Sequence, residues 1–313
     1  MKFSISSCWN SHRHEDGYSM LCELAELGFK YAELSHGIRL TLVPGILKAV
    51  EEGVIQISSV HNFCPLPVGV MGAAPNLYEP SAISRKERVL WYYNTMKTMD
   101  FAKRVGCDRI VVHSGRAHFL WGDPESAFEK AFEAAAGQDC DNLAKSRDRG
   151  LAKLNRKKKG FMKRLDESYR LLAEKAREDG LLFGIENREA FCELPLDDDL
   201  EGVLESLKDQ ESFGYWHDTG HAQLKERMGL LDHREHLEKL RPYLIGFHLH
   251  DVSESNRDHM IPGTGVIDWS ILADLIQPDD TVILELSPRL KSDEIRQGRD
   301  YLLNTIPAIG AHG

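Results

Sequence analysis

The sequence predicts a single (β/α)8 barrel, and two observations support this fold class. Short apolar runs typical of strands alternate eight times with helical segments along the 313 residues. No Pro/Gly/Ser-rich linker and no change in composition divides the chain, and a barrel of this kind commonly has about 250 residues or more. We therefore expect one domain over residues 1–313, with a ring of parallel strands inside a ring of helices.

The order of the elements follows from the periodicity of apolar residues. Strand patterns occupy residues 2–8, 31–34, 55–60, 109–113, 181–186, 213–217, 244–250 and 281–286. Helical periodicity occupies residues 18–27, 42–52, 85–105, 163–178, 200–208, 232–240, 269–276 and 292–304. Gly28, Gly53 and Gly106 each follow a predicted helix, as is typical of a helix C-terminus. A stretch rich in Ala, Lys and Glu interrupts the rhythm, and we interpret residues 118–162 as a helical insertion between strand four and its helix.

A doubly wound open sheet is the alternative fold. It would need a glycine-rich phosphate-binding turn after strand one, because the glycines let the backbone approach the phosphates. The residues at that place, Ser6-Ser7-Cys8-Trp9, contain no glycine. The barrel is therefore favoured.

Composition and charge exclude some classes of function. No run approaches the roughly 18 apolar residues of a membrane span, and the net charge of −10 disfavours a general nucleic-acid binder. Residues 145–164 differ, with ten Lys/Arg against one Asp, and we interpret them as a solvated helical face or a lid over an anionic substrate. The six cysteines include no Cys-x-x-Cys pair, and the opening MKFSISSCWN lacks a signal-peptide pattern, so we expect reduced cysteines and a cytoplasmic protein.

Acidic and histidine side chains recur where the predicted strands end. The carboxyl ends of barrel strands meet at one mouth, so residues far apart in sequence become neighbours there. Each residue alone could be a hydrogen-bonding or helix-capping group, and Asp218-Thr219-Gly220-His221 could be a turn with His221 on the surface. Together, buried carboxylates and imidazoles would be costly unless a cation joins them, so the pattern predicts a divalent-metal site. The residues are Glu33, His61, His113, Glu186, Asp218 with His221, His248 with His250, and Glu285.

Five motifs in the second half of the chain carry a family resemblance. They are GIENR around Glu186, HDTGHA around Asp218, FHLHD around His248, DHMIPGTGVIDW from Asp258 and ILELSP around Glu285. In this order they resemble the xylose isomerase-like TIM barrel superfamily, which includes sugar isomerases and epimerases, inosose dehydratases and endonuclease IV-like enzymes. The resemblance covers the chain apart from the insertion.

The resemblance implies a metal held by Glu186, Asp218, His248 and Glu285. Mixed carboxylate and imidazole ligands suit Mn²⁺, Mg²⁺, Co²⁺ or Zn²⁺. The family pattern His-x-x-Asp selects His248, with Asp251 in register, and leaves His250 as the alternative ligand.

The implied activity is isomerisation or epimerisation of a sugar, keto-sugar or polyol-like molecule by proton transfer through a metal-stabilised enediolate. Glu186 and Glu285 would then be base and acid as well as ligands. His221 and Arg257 match positions that hold substrate oxygens, and Glu33 and His250 are further candidate substrate contacts. We expect a small carbohydrate as partner, with no nucleic acid and no membrane, and we leave a homo-oligomer open.

Two other classes compete with this interpretation. An endonuclease IV-like zinc phosphodiesterase would bind further ions through His61 with His113 and through His221 with His259, but Arg257 stands where the third ion's Asp would be. A dehydratase-like lyase would use the same enolate chemistry as the isomerase. A barrel that only binds a ligand is disfavoured by the intact ligand set.

Overall fold

The computed structural model describes residues 1–134 and 140–311 of the chain. Eight parallel strands pair in sequence order, and β8 pairs with β1 to close a barrel. The strands are β1 (Lys2–Ser6), β2 (Tyr31–Leu34), β3 (Gln56–His61), β4 (Arg109–Val112), β5 (Leu182–Glu186), β6 (Phe213–Asp218), β7 (Leu244–Leu249) and β8 (Thr281–Leu284). The predicted (β/α)8 barrel is confirmed.

The helices of the described residues surround this barrel. They are α1 (Gly17–Glu26), α2 (Val43–Glu51), α3 (Arg85–Val105), α4 (Pro124–Ala134), α5 (Cys140–Glu178), α6 (Asp197–Leu207), α7 (Thr219–Arg227), α8 (His233–Leu240), α9 (Trp269–Leu275), α10 (Ser292–Thr305) and α11 (Pro307–Gly310). Helix α7, which starts within the motif HDTGHA, was not among the predicted helices. None of the described helices is both long enough and apolar enough to cross a bilayer.

One large side chain in the barrel interior is flanked by glycines. Trp216 on β6 is fully buried and lies between Gly184 on β5 and Gly246 on β7. A Cβ atom at Gly246 would come within 2.2 Å of the Trp216 ring, so only glycine fits there. The indole packs with Val111 and Ile283 to form a solid interior layer directly beneath the strand ends.

Within the insertion predicted for residues 118–162, residues 118–123 form a loop, residues 124–134 and 140–162 are helical, and residues 135–139 lie outside the described part of the chain. Helix α5 runs without a break from the insertion into the predicted barrel helix 163–178, so the two are one element. Helices α4 and α5 share a separate apolar cluster with the loop that follows β5, and Lys158 on α5 forms an ion pair with Asp199 at 2.6 Å. The buried members of this cluster are Ala117, Phe128, Leu154, Phe161, Phe191, Cys192, Leu194 and Leu196.

A buried group of histidines lies behind β6, away from the strand ends. The Tyr215 hydroxyl is 2.6 Å from Nδ1 of His217 and 3.1 Å from Nε2 of His236. His217 Nε2 in turn lies 3.0 Å from Nε2 of His233. Burial lowers the pKa of both His233 and His236 to about 4, so these imidazoles are neutral at neutral pH.

We predict that these histidines make the fold sensitive to acid. In the unfolded chain they bind protons below their ordinary pKa of 6.5, whereas in the folded chain they bind them only below about 4. The free energy of unfolding should therefore fall as the pH decreases from 6.5 to 4, by up to about 3 kcal/mol for each group. Urea denaturation at several pH values should show this fall, with a flatter slope in His236→Asn. The control His12→Asn replaces an exposed imidazole and should keep the wild-type slope. An NMR titration of His236 near pH 6.5 would contradict the prediction.

Candidate functional site

The four residues predicted to hold a metal meet at the carboxyl ends of β5 to β8. Glu186 and Asp218 are the last residues of β5 and β6, His248 lies one residue before the end of β7, and Glu285 directly follows β8. All four are buried, and one ligand atom from each lies within 4.8 Å of the others. The barrel therefore brings together side chains that are separated by up to a hundred residues of sequence.

The donor atoms have the spacing that a cation requires. His248 Nδ1 lies 2.7 Å from a Glu186 oxygen, 3.2 Å from a Glu285 oxygen and 3.9 Å from an Asp218 oxygen. Ligands at about 2.1 Å from a tetrahedral ion are about 3.4 Å apart, so these separations bracket the expected value. Three carboxylates and one imidazole, without a thiolate, suit a divalent ion of the Mg²⁺, Mn²⁺, Co²⁺ or Zn²⁺ group. The donor set fits the predicted metal.

Glu186 carries the charge that links the two sides of the mouth. Burial raises the pKa of its carboxyl, but the neighbouring imidazoles of His113, His248 and His61 and the Arg188 charge outweigh burial and hold the pKa well below its ordinary value. One of its oxygens contacts His248, and the other lies 2.8 Å from Arg188 Nη1 and 2.9 Å from His113 Nε2. The carboxylate is thus ionised and shared between two groups of ligand atoms.

Glu33 lies beneath the site and does not line the mouth cavity. Both its oxygens are 3.1 Å from Nε2 of His248, and they also accept hydrogen bonds from Ser6 and Ser59. This arrangement makes Nε2 the donor to Glu33 and turns Nδ1 of His248 toward Glu186 and Glu285, on the side of the other predicted ligands. Burial raises the pKa of Glu33, but the charge and hydrogen bonds of His248 outweigh it, so the carboxyl remains ionised. The geometry thus supports Glu33 as an orienting group for His248, and its predicted substrate contact stays a prediction.

His250 holds Asp218 in the same indirect way. The backbone N–H of His259 donates to Nδ1 of His250 at 2.9 Å, so Nε2 carries the proton and donates to the Asp218 carboxylate at 3.0 Å. A Cβ atom on Gly220 would come within 2.0 Å of the His250 ring, which explains the glycine in HDTGHA. His250 is fully buried and, like Glu33, lies outside the lining of the mouth cavity.

A second group of potential ligand atoms shares Glu186. It contains His61 and His113, whose Nε2 atoms are 3.8 Å and 2.9 Å from one Glu186 oxygen. His113 Nδ1 is 2.8 Å from the side-chain oxygen of Asn76, which fixes the ring. Burial and the Arg188 charge lower the pKa of His113 to about 3, so the imidazole is in the neutral form that binds metals.

The remaining candidate residues do not form one further site. His221 groups with Glu189 and Asp258, whereas His259 groups with His250 and Glu285. His221 and His259, which the sequence pairs at one ion, thus belong to two different groups of potential ligand atoms, and their pairing stays a prediction. Arg257 is exposed and lines a neighbouring cavity together with Arg289.

Three titratable residues of the mouth were missed from the sequence. Arg188 is buried and pairs with Glu186 and with Glu193, at 2.8 Å and 3.2 Å. His36 packs its ring against His61 with centroids 4.8 Å apart, and Glu189 also lines the mouth. Arg188 could have been found, since it stands in the motif GIENR. His36 lies two residues after β2 and gave no pattern.

The mouth cavity has a volume of about 200 Å³. Its walls combine carboxylates, imidazoles and one guanidinium, which suits a small hydroxyl-rich molecule better than an apolar one. The lining residues are His36, His61, Pro75, His113, Glu186, Arg188, Glu189, His221, His259 and Glu285.

The chain belongs to the xylose isomerase-like TIM barrel family, whose model matches residues 21–305. Solved structures with the same fold include a D-tagatose 3-epimerase-like protein, at 18% identity and a TM-score of 0.70 over 99% of both chains. A 3-keto-D-glucoside 4-epimerase from E. coli is 15% identical, with a TM-score of 0.68 over 97% of this chain and 99% of that one.

A probable 3-DHS dehydratase from Bacillus anthracis, involved in petrobactin synthesis, is 13% identical with a TM-score of 0.58, over 97% of this chain and 99% of that one. No curated protein sequence matches the chain significantly. Likeness at these identities establishes the fold, and the function has to be argued from the site.

We predict that the protein binds a divalent cation through the four-residue group and that Glu33 tunes the affinity. Glu33→Gln should weaken binding about 10- to 100-fold, because the amide is a poorer acceptor for Nε2 of His248. Titration calorimetry with Mn²⁺ and Zn²⁺, and metal analysis of the purified protein, measure the affinity and the number of ions.

The matched control is Glu254→Gln, an exposed carboxylate on the loop after β7 that lines none of the cavities described above. It should bind metal like the wild type. Equal affinities for the Glu33 variant and the wild type would contradict the orienting role.

Proposed function

We propose that the protein is a divalent-metal-dependent isomerase or epimerase of a sugar, keto-sugar or polyol-like molecule. The observation that carries this proposal is that Glu186 and Glu285 each occupy two environments at once. Both belong to the four-residue group of ligand atoms, and both also line the mouth cavity. Asp218 and His248 belong to the same group but lie outside that lining.

Two carboxylates at the edge of one small cavity can move a proton at a carbon atom. The first removes the proton beside a carbonyl to give an enediolate, and the second returns a proton to the same carbon or to its neighbour. A cation held by the four-residue group would supply Lewis-acid polarisation of the substrate oxygens. Return to the opposite face of the same carbon gives an epimer, and return to the neighbouring carbon gives an isomer.

The surrounding residues favour this proton transfer. Arg188 pairs with Glu186 and holds its carboxylate in a fixed orientation at the cavity wall. His113, neutral at neutral pH, and His221 offer ring nitrogens to substrate hydroxyls. Two of the similar structures are a D-tagatose 3-epimerase-like protein and a 3-keto-D-glucoside 4-epimerase, which agrees with this assignment.

Two alternatives use the same residues. A lyase would begin with the same proton removal and then lose a hydroxyl group, and one similar structure is named as a dehydratase. A phosphodiesterase of the endonuclease IV-like type would use a second ion, and the group of His61, His113 and Glu186 is the specific observation in its favour.

We predict that Glu285→Gln abolishes most of the proton transfer while the fold is retained. The amide cannot accept a proton, so exchange should fall by about a hundredfold or more. The measurement is incorporation of solvent deuterium into a panel of ketoses, followed by NMR in the presence of Mn²⁺. Glu254→Gln serves as the carboxylate-to-amide control and should exchange at the wild-type rate. The absence of deuterium exchange from every ketose in the wild type would contradict the proposal.

We predict no tight, salt-sensitive binding of abasic-site DNA. The cations of residues 145–164 are partly used within the fold: Lys158 pairs with Asp199, Lys153 donates to the Trp121 carbonyl, and Lys153 and Lys157 lie over the Phe119 ring.

Fluorescence anisotropy with an abasic duplex at several salt concentrations tests this prediction, because each phosphate contact would add a slope of about −0.9. A duplex without the abasic site is the control. Tight binding that weakens steeply with salt, together with strand cleavage, would place the phosphodiesterase first.

A further inference from the structure

A second cavity of about 230 Å³ opens beside the mouth cavity. The two cavities share one wall residue, His36, so they adjoin each other at this imidazole. We call it the Arg39 cavity, and its walls come mainly from the loops that follow β1, β2 and β3. The lining residues are Cys8, Ser11, His12, Ser35, His36, Gly37, Arg39, Met71, Gly72, Ala73 and Pro288.

The charge of the Arg39 cavity is opposite to that of the mouth. No carboxylate occurs among its lining residues, whereas the mouth cavity is lined by Glu186, Glu189 and Glu285. Arg39 is therefore the only ordinarily charged side chain in its walls. A cation in a recess without carboxylates attracts an anion.

The Arg39 guanidinium has N–H donors that no protein acceptor uses in the described part of the chain. Among the described residues it forms no ion pair, and its one hydrogen bond is donated by Nη2 to the His14 carbonyl oxygen. Its Nε atom is buried without a partner. A guanidinium carries five N–H donors in a planar fork that matches the oxygens of a phosphate or carboxylate. The side chain is thus anchored at Nη2, and its buried Nε atom has no partner in the described part of the chain.

The neighbouring side chains add polar groups around the same recess. Ser11 and Ser35 contribute hydroxyls and His12 an exposed imidazole, while His36 Nδ1 has no partner in the described part of the chain. Met71, which is 78% exposed, gives the rim an apolar edge. Such a mixture suits an oxygen-rich anionic group carried on a short carbon chain.

Size points to a molecule that uses both cavities. The mouth alone, at about 200 Å³, is smaller than the roughly 300–1,000 Å³ of typical small-molecule sites. We infer that the Arg39 cavity binds an anionic group, a phosphate monoester or a carboxylate, at the end of the sugar remote from the reacting carbon. This inference rests on the proposed function and names its substrate class as sugar phosphates or sugar acids.

A third cavity, of about 360 Å³, provides the matched comparison. It also contains cations, Arg257 and Arg289, but Asp258 lines it as well. Arg289 is exposed and borders the same Pro288 that lines the Arg39 cavity. Arg289→Gln therefore removes an equal charge close by without changing the Arg39 cavity.

The test is a binding measurement on the full chain, separate from turnover. Titration calorimetry compares D-fructose, D-fructose 6-phosphate and D-fructuronate in the wild type, Arg39→Gln and Arg289→Gln. We expect at least one of the two anionic ligands to bind about 10- to 100-fold more tightly than fructose in the wild type. Arg39→Gln should remove most of this preference, and Arg289→Gln should retain it. Whichever anionic ligand binds more tightly identifies the source of the anion.

Two results would overturn the inference: equal affinity for neutral and anionic ligands in the wild type, or loss of the preference in Arg289→Gln instead of Arg39→Gln. Circular dichroism and thermal melting check the fold of each variant. If Arg39→Gln does not fold, Arg39→Lys takes its place, since it keeps the charge but loses the fork. A several-fold weaker anion preference then supports the inference, and an unchanged preference overturns it.

Deuterium exchange distinguishes failure of this inference from failure of the proposed function. An Arg39-dependent anion preference without any exchange would retain the cavity's assignment and remove the epimerase. Deuterium exchange of neutral ketoses without any anion preference would retain the proposed epimerase and remove the assignment of the Arg39 cavity.

Discussion

The buried imidazole of His248 is the contact on which the mouth of this barrel depends. It lies between Glu33 on one side and Glu186 and Glu285 on the other, so one ring is in contact with three carboxylates that have almost no access to water. Burial alone would lower the pKa of His248, but the charges of Glu285 and Glu33 outweigh burial and raise the pKa well above its ordinary value. The negative field that raises this pKa is also the field that favours a divalent cation at the same place.

The strand register builds the site in two layers. Residues two apart on a strand point to the same side, so each ligand stands directly above an interior residue of its own strand. Beneath Glu186, Asp218, His248 and Glu285 these residues are Gly184, Trp216, Gly246 and Ile283. Because two of the four are glycines, the Trp216 ring spreads across the barrel and forms an apolar floor under the ligands. A shift of register by one residue in β7 would turn His248 outward and bring a leucine or phenylalanine to the mouth.

The sequence was sufficient to predict that the strand ends converge. It was not sufficient to predict how deep each side chain lies in the barrel. Alternation shows which face of a strand a residue occupies, and the order of the strands then places Glu186 and Glu285 at one mouth. It does not distinguish a residue that lines the cavity from one that supports a ligand from below, and only the contacts in the structure show that Glu33 and His250 lie against His248 and Asp218. His36 and Arg39 were overlooked for a related reason. They lie in an irregular loop after β2, where no period exists to indicate direction.

The insertion also shows what local sequence can predict and what depends on tertiary packing. Its helical character followed from composition, but its continuity with the barrel helix did not. Gly150 and Gly160 lie within the uninterrupted helix α5 even though glycine disfavours helix interiors. A Cβ atom at Gly150 would come within 2.8 Å of the Phe191 ring, so tertiary packing against the loop after β5 explains this glycine.

The motif HDTGHA carries two roles that looked mutually exclusive in the sequence. It could be a helix start, in which Asp218 caps the backbone, or a metal site, in which Asp218 is a ligand. The structure uses both, because a carboxylate has two oxygens. One accepts the His221 backbone N–H at 2.8 Å at the start of α7, and the other lies 3.9 Å from His248 Nδ1. The cap fixes the rotamer of Asp218, and the N-terminus of the helix favours the ionised carboxylate. The helix cap therefore does not compete with the metal site. It holds the Asp218 side chain so that its second oxygen points toward the other ligands.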